Sequence, residues 1–436
     1  MIERNDLDRA MTSYFEARST SHAPDGLLEA ALTRVETARQ RPGWLIADRW
    51  LPVDRSGVAR IRVAAVVIAT IALIVATTIG IGLLVGSNRR LPPPFGLAKP
   101  GLIAYDMGGA IYVVNPDGTE VQQLTSGVAD GFETFSPDGT LIAYQAEAQD
   151  MSTSVIVMGA DGGHPVTVAD HLSEVGDIAW SPDSRRVAFG ARIMGTSGFH
   201  VYEAAVDHPG AVQIGGPTVF GQEPAWSPDG RTIAFKHFRD DSPDPFGAAL
   251  WLMNADGSDA RRLAKASGDL RRDGPLASSG SAGVGFWNTS WSPDGKRLAF
   301  LADGVAAHLD VYVINADGTG ELDISSSPQD EFWPSWSPDG TRVAFATMNL
   351  PAVNQGTAVV VDPNGSNRVW FTGAPINSDT LVWSPDGKRL LGYAKNPDPS
   401  QDHNVAIAIF DVAGDGSVVT LPANGFGSAS WQRLAP

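Results

Sequence analysis

Carboxylates recur at matched places after residue 100: Asp130 and Glu133, Glu174 and Asp177, Glu223, Asp330 and Glu331, and Asp379. Each group stands a few residues ahead of an aromatic that opens a Ser-Pro-Asp motif, at Phe135, Trp180, Trp226, Trp336 and Trp383. Asn288 holds the matching place ahead of Trp291. Carboxylates converging from such positions would raise a negative field that attracts cations or basic peptide segments. The alternative is that they are solvated residues at strand starts, and the spacing alone leaves both readings open.

Nucleophilic and metal chemistry find little support. There is no Gly-x-Ser-x-Gly elbow and no His-Glu-x-x-His helix. There is no Cys, which excludes thiolate nucleophiles, thiolate metal sites and disulfides. The eight His residues (22, 164, 171, 200, 208, 237, 308 and 403) are scattered. Asp138, Asp183, Asp229, Asp294, Asp339 and Asp386 occur one per motif, and turn chemistry accounts for them without calcium. The motif tryptophans read as packing, not as a ligand cage. No cofactor, metal or catalytic residue is expected, and the expected role is non-enzymatic. The net charge of −17 opposes nucleic acid as a partner, because phosphates need a basic face.

The elements that would position these residues follow from repetition. FSPDGTLIAY at 135–144 recurs as WSPDSRRVAF, WSPDGRTIAF, WSPDGKRLAF, WSPDGTRVAF and WSPDGKRLLGY, with aromatic starts 45, 46, 65, 45 and 47 residues apart. Pro presets φ for the turn, Asp bonds local backbone and Gly accepts a positive φ, so each copy predicts two strands and a tight turn. A second turn follows each copy, as in NPDG at 115–118 and NADG at 254–257 and 315–318, behind apolar runs such as IYVV, LWLM and VYVI. Four antiparallel strands in about 45 residues make a propeller blade.

The ends suggest the count. GLIAY at 101–105 matches a second strand lacking a first, and SASWQRLAP, with Trp431, matches a first strand lacking a second. The expected fold class is therefore all-β: a seven-bladed β-propeller over 101–436, closed into a ring by the C-terminal strand. The tight turns would lie on one face and the long loops on the other. The longest loop, within 265–286, supplies Arg271, Arg272 and Asp273, and ends at Phe286 and Trp287; these five are candidate binding residues. The inner strands would start on that face, making Asp130, Glu133, Asp177, Glu223, Asn288, Glu331 and Asp379 an acidic rim at the channel mouth.

The first hundred residues differ in kind. Residues 63–85 hold 23 residues without a charge, which as a helix would be about 35 Å long, enough to cross a hydrocarbon core of ~30 Å. A transmembrane helix is expected over 61–87, followed by a Pro-rich linker at 88–100. Arg49, Arg55, Arg60 and Arg62 before it, against Arg89, Arg90 and Lys99 after it, favour a cytoplasmic N-terminus by a narrow margin. Leu7, Ala10, Met11, Tyr14 and Phe15 form one helical stripe, so 1–60 is expected to be a small helical cytoplasmic head.

The W-S-P-D-G-x-x-[ILV]-A-F motif and its recurrence over 101–436 resemble the Tol-system (TolB-like) propellers, built of bacterial WD-like Pro-Asp repeats. That resemblance implies a binding scaffold of the bacterial cell envelope, without implying a ligand. Members of that system carry a small α/β domain where this sequence has an uncharged run and a helical head, so a place in the Tol complex does not follow. The head resembles those of membrane-bound anti-sigma proteins, without the His and Cys ligands of their zinc-binding version. Repeats of this type also occur joined to serine peptidases of the prolyl oligopeptidase family, but no hydrolase domain is expected within this sequence.

Three functions follow as expectations. The first is a single-pass, membrane-anchored extracytoplasmic propeller that binds a protein or peptide, with a small-molecule ligand as the other class. The second is a transmembrane regulator, sensing through the propeller and holding a cytoplasmic factor with 1–60. The third is a hydrolase or lyase built on the propeller.

Overall fold

The computed structural model describes residues 95–127, 129–196, 198–238, 248–263, 289–303, 309–348, 356–395, 405–412, 418–421 and 428–435. The chain divides into two compact units, Met1–Asn88 and Arg89–Pro436, and every described residue belongs to the second.

Strands form where the sequence alternates apolar residues between Gly- and Asp-rich turns. In the motif Ser136-Pro137-Asp138-Gly139, the Ser136 hydroxyl donates to Asp138 Oδ1 at 2.7 Å and accepts from the Leu141 amide at 3.0 Å. Asp138 Oδ1 also accepts from the Thr140 amide at 3.0 Å. Ser227 and Asp229, and Ser384 and Asp386, repeat this arrangement. Gly139 has φ +72°, and a Cβ there would lie 2.2 Å from the Arg433 carbonyl oxygen, so the position needs glycine.

The second strand of each motif is buried on both faces. Ala143, Ala188, Ala234, Ala299 and Ala344 have no exposure, and they alternate with large residues such as Ile142, Phe189, Phe235 and Phe345. Small residues let the neighbouring sheet approach, and the large ones fill the gap between sheets. The core is accordingly a series of inter-sheet clusters. Trp180 packs with Ala143, Val155 and Val157 of the preceding repeat as well as Val187 and Phe189 of its own.

The motif tryptophans settle in two ways. Trp180, Trp291 and Trp383 donate Nε1 to the carbonyls of Thr134, Ala225 and Ser335 on the preceding inner strand, at 3.0–3.1 Å. Trp226, Trp336 and Trp431 instead lie under the guanidinium groups of Arg186, Arg297 and Arg389. Both arrangements fit the packing role read from the motif.

The expected fold class is corrected on two counts. Among the described residues there is no helix, and strands alone build the propeller-like fold. The helical head expected at 1–60 and the span expected at 61–87 lie outside the described residues; among the described ones no helix is long and apolar enough to cross a membrane. The second correction concerns the sheets. Among the described residues the strands form five separate sheets, of four, seven, four, four and seven strands, and no ladder joins them into a ring. The two seven-stranded sheets arise from continuity of two strands. Val166–Trp180 pairs with Thr153–Gly159 through its first half and with Arg186–Ile193 through its second. Val369–Trp383 does the same between Gly356–Val361 and Arg389–Lys395. One extended strand thus ends one repeat and begins the next, fusing their sheets. The C-terminal strand Ala429–Leu434 pairs with Lys99–Met107, with Trp431 opposite Ile103.

Candidate functional site: the central cavity

The first strand of each four-strand repeat faces a shared cavity of about 570 Å³. Its wall comes from Phe132–Thr134, Asp177–Trp180, Glu223–Trp226, Thr289–Trp291, Trp333–Trp336, Leu381–Trp383 and Ser428–Ser430. At one end sit Phe95 and Gly96. Arg433 Nη2 holds the Gly96 carbonyl at 2.6 Å, and the Ala98 amide donates to the Pro385 carbonyl at 2.8 Å. Burial pulls the Arg433 pKa down to about 10.

Register breaks recur in the wall strands, and three of them hold a left-handed residue. These three lie between Gly131 and Thr134, Gln222 and Ala225, and Phe332 and Ser335. Within those breaks Phe132, Glu223 and Trp333 adopt φ of 56°, 53° and 54°. All three stand three residues before the motif aromatic. Bulges re-aim side chains, and left-handed backbone at non-glycine residues costs on the order of 1–3 kcal/mol. Phe132 is left 48% exposed, an unusual state for a cavity-lining aromatic.

Glu133 lies next to this bulge and is 1% exposed. Neither of its carboxylate oxygens has a hydrogen-bond partner, although the Ser428 hydroxyl reaches its main-chain carbonyl at 3.3 Å. Burial, then the charge of Asp106, pushes its pKa well up; its own amide and Ser428 offset this in part. Asp106 is itself buried, its Oδ1 lacks a hydrogen-bond partner, and burial pushes it up to about 7. Glu223 faces the Lys236 ammonium at 3.9 Å, and both are buried. Burial lowers Lys236 to about 8, with Glu223 acting in the opposite direction.

The expected rim is therefore divided. Glu133, Asp177 and Glu223 do line the cavity, and Asp177 is exposed. Asp130 and Glu331 are not among the lining residues. Asp130 instead accepts from the Gly127 amide at 3.0 Å. Glu331 has no exposure; Ser327 donates to it, and burial, with Asp310 beside it, pushes it up to about 8. Asp379 lies in the strand Val369–Trp383, and its side chain is outside the described residues, as are Asn288, Arg271, Arg272, Asp273, Phe286 and Trp287. Among the described residues no three His, Asp or Glu side chains form a metal-holding group.

Sequence reasoning missed Asp106, Lys236, Phe132 and Trp333. A signal for the first two existed. Asp106 and Lys236 directly follow the aromatic that ends the second strand's apolar run, in IAYD and IAFK, where other repeats have Gly190, Leu301 or Ala346. A charge extending a two-sided buried strand must face something other than packing. The bulges carried no signal, because their register breaks depend on pairing.

Comparison with known proteins agrees with this geometry. Residues 103–275 match the family described as TolB beta propeller domain. "Uncharacterized peptidase YuxL" of Bacillus subtilis (strain 168) is 28% identical over 249 residues, 54% of this chain and 32% of that protein. The chain thus spans about a third of the length of that curated relative. The tricorn protease structure aligns with a TM-score of 0.53 and 12% identity, over 79% of this chain and 35% of that one. A structure from a study of two prolyl endopeptidases aligns with a TM-score of 0.50 and 13% identity, over 79% of this chain and 51% of that one. The expectation that the protein is no enzyme is corrected by these findings: the curated relative bears the name of a peptidase, and the same fold occurs in peptidase structures. Over residues 103–275 the chain is similar to TolB beta propeller domains, and its described part is an all-β, propeller-like fold.

Proposed function

We propose that this propeller binds a protein partner by taking an extended segment of it into the central cavity. The observation that carries the reading is the cavity itself, walled by all the first strands, with exposed Phe132 beside buried acidic groups. Its volume lies within the roughly 300–1,000 Å³ of ligand pockets. Peptides selected for binding to the full chain test it, with affinity remeasured on Phe132→Asn, a residue that tolerates the left-handed backbone. Affinity falls about tenfold or more as the aromatic contact is lost. Peptides that bind the variant equally well would place recognition elsewhere.

A second reading draws on the YuxL match: the propeller serves a peptidase, by selecting or delivering peptide substrates. Incubation of the full chain with a mixed peptide library, followed by mass spectrometry, distinguishes cleavage from capture. The uncharged run at 63–85 supports attachment at the cell membrane, with 101–436 outside the cytoplasm and 1–60 within it, where a regulatory factor is the candidate partner. Protease accessibility on intact cells tests the sidedness, and pull-down with the full chain tests the cytoplasmic partner.

A further inference from the structure

We infer that the Glu133–Asp106 pair is a receptor for one cationic side chain, the guanidinium of Arg or the ammonium of Lys, on the segment that enters the cavity. This rests on the proposed binding of a peptide segment there and specifies its chemistry. Two carboxyl groups from neighbouring strands, Lys99–Met107 and Asp130–Phe135, are both buried; a Cβ on Gly131, two residues before Glu133, would lie 3.8 Å from Asp106 Cγ, and the Asp106 charge raises Glu133. Three of their four oxygens, Asp106 Oδ1 and both of Glu133, lack a hydrogen-bond partner. Buried polar atoms are nearly always satisfied, so such a cluster is the mark of an absent partner.

The Ser428 hydroxyl acts on the Glu133 carboxyl from the cavity wall, but it is neutral and cannot balance a carboxylate's charge. Lys236 is engaged with Glu223, and Arg433 lies at the end where it holds Gly96. Glu133 lines the open volume, so a donor has to arrive through it. An extended cation matches these requirements better than a neutral group. It supplies several N–H donors to acceptor-only oxygens, and its charge offsets that of the two carboxylates. Phe132, exposed at the bulge one residue away, offers an apolar face for the aliphatic stem of Arg or Lys. Burial raises both carboxyls, so an entering cation favours their ionised, acceptor-only form.

The test uses the full chain and the selected peptides. Each Arg is replaced in turn by citrulline, its neutral isostere, and each Lys by norleucine; affinities are read by fluorescence anisotropy. N-acetyl-arginine methylamide is a parallel probe that separates a peptide-borne cation from a free one. On the wild-type chain one cationic position gives a preference of about 30-fold over its neutral replacement. That preference collapses towards unity in Glu133→Gln and shrinks in Asp106→Asn, while the neutral peptide binds as before. Glu203→Gln, an exchange at the Arg186 ion pair away from the cavity, leaves it intact. Thermal melts of every variant exclude unfolding as the cause. A preference unchanged in Glu133→Gln overturns the inference, as does equal binding of citrulline peptides. If binding depends on Phe132 but is blind to charge, the cation receptor fails and the peptide cavity stands. If no peptide binding depends on Phe132, both fail. Tight binding of the free amide with none of the peptides also overturns it, in favour of a small-molecule amine.

Discussion

Gln432 and Leu102 are 330 residues apart, and the side-chain oxygen of Gln432 accepts the Leu102 amide at 3.1 Å. Its Nε2 donates to the Gly139 carbonyl at 2.8 Å, so one amide ties the last strand to the first strand and to a motif turn. Gln432→Ala leaves both groups without this partner. It lowers the unfolding free energy by about 1–3 kcal/mol, read by urea denaturation. Removal of 428–436 goes further, because it bares the long edge of Lys99–Met107; self-association seen by light scattering is the expected result.

The motif turns give a second prediction. The Ser227 hydroxyl holds the Asp229 carboxyl below the usual carboxylate range; burial opposes it, and the Arg231 amide and charge add to it. A folded pKa below the unfolded one contributes stability above the unfolded value near ~4, lost as pH falls through the folded value. Ser227→Ala removes a donor to Asp229 and the acceptor for the Thr232 amide. The cost is about 1–2 kcal/mol at neutral pH. Denaturant melts at pH 7 and pH 3 check both statements, with a smaller cost expected at pH 3.

The cavity and its surroundings titrate with the opposite sign. Burial pushes Glu331 up to about 8 and Asp106 up to about 7, and Glu133 is raised as well. Unfolded carboxyls ionise near ~4, so between there and pH 8 the folded chain holds protons that the unfolded chain has lost. Stability therefore falls as pH rises through this window, by up to about 1.4 kcal/mol per pH unit for each retained proton. Glu331→Gln removes one such proton, and the pH slope of unfolding free energy between pH 5 and 8 becomes shallower. An unchanged slope would contradict the assignment.

The Glu223–Lys236 pair supplies a fourth prediction. Both partners are buried, at 6% and 8% exposure, so neither charge is relieved by bulk water. Lys236→Met leaves Glu223 without the facing ammonium and costs about 3–5 kcal/mol. Glu223→Gln together with Lys236→Met costs far less, because no uncompensated charge stays buried. A double-mutant cycle from urea midpoints measures the coupling; additive costs would refute it.

Much of the fold was legible in the sequence. Strand-forming residues alternate between Ser-Pro-Asp-Gly turns whose chemistry is local: Ser227, Asp229 and Gly230 sit within four residues, and their bonding needs no distant partner. Glu133, Asp177 and Glu223 were legible as cavity residues because inner-strand position follows from repeat phase.

What tertiary structure decided was pairing and burial. Whether Val166–Trp180 breaks between repeats or runs through as one strand depends on ladders to Thr153–Gly159 and Arg186–Ile193, which no local preference records. The bulges at Phe132, Glu223 and Trp333 likewise exist only against their partner strands. The fates of the acidic residues diverged for the same reason. Asp130 and Glu331 hold the same place, five residues before the motif aromatic, yet one accepts from the Gly127 amide and the other is sealed beside Asp310. Residue type and spacing fix what a side chain can do. The groups that surround it, and so its charge and its access, come from segments tens to hundreds of residues away.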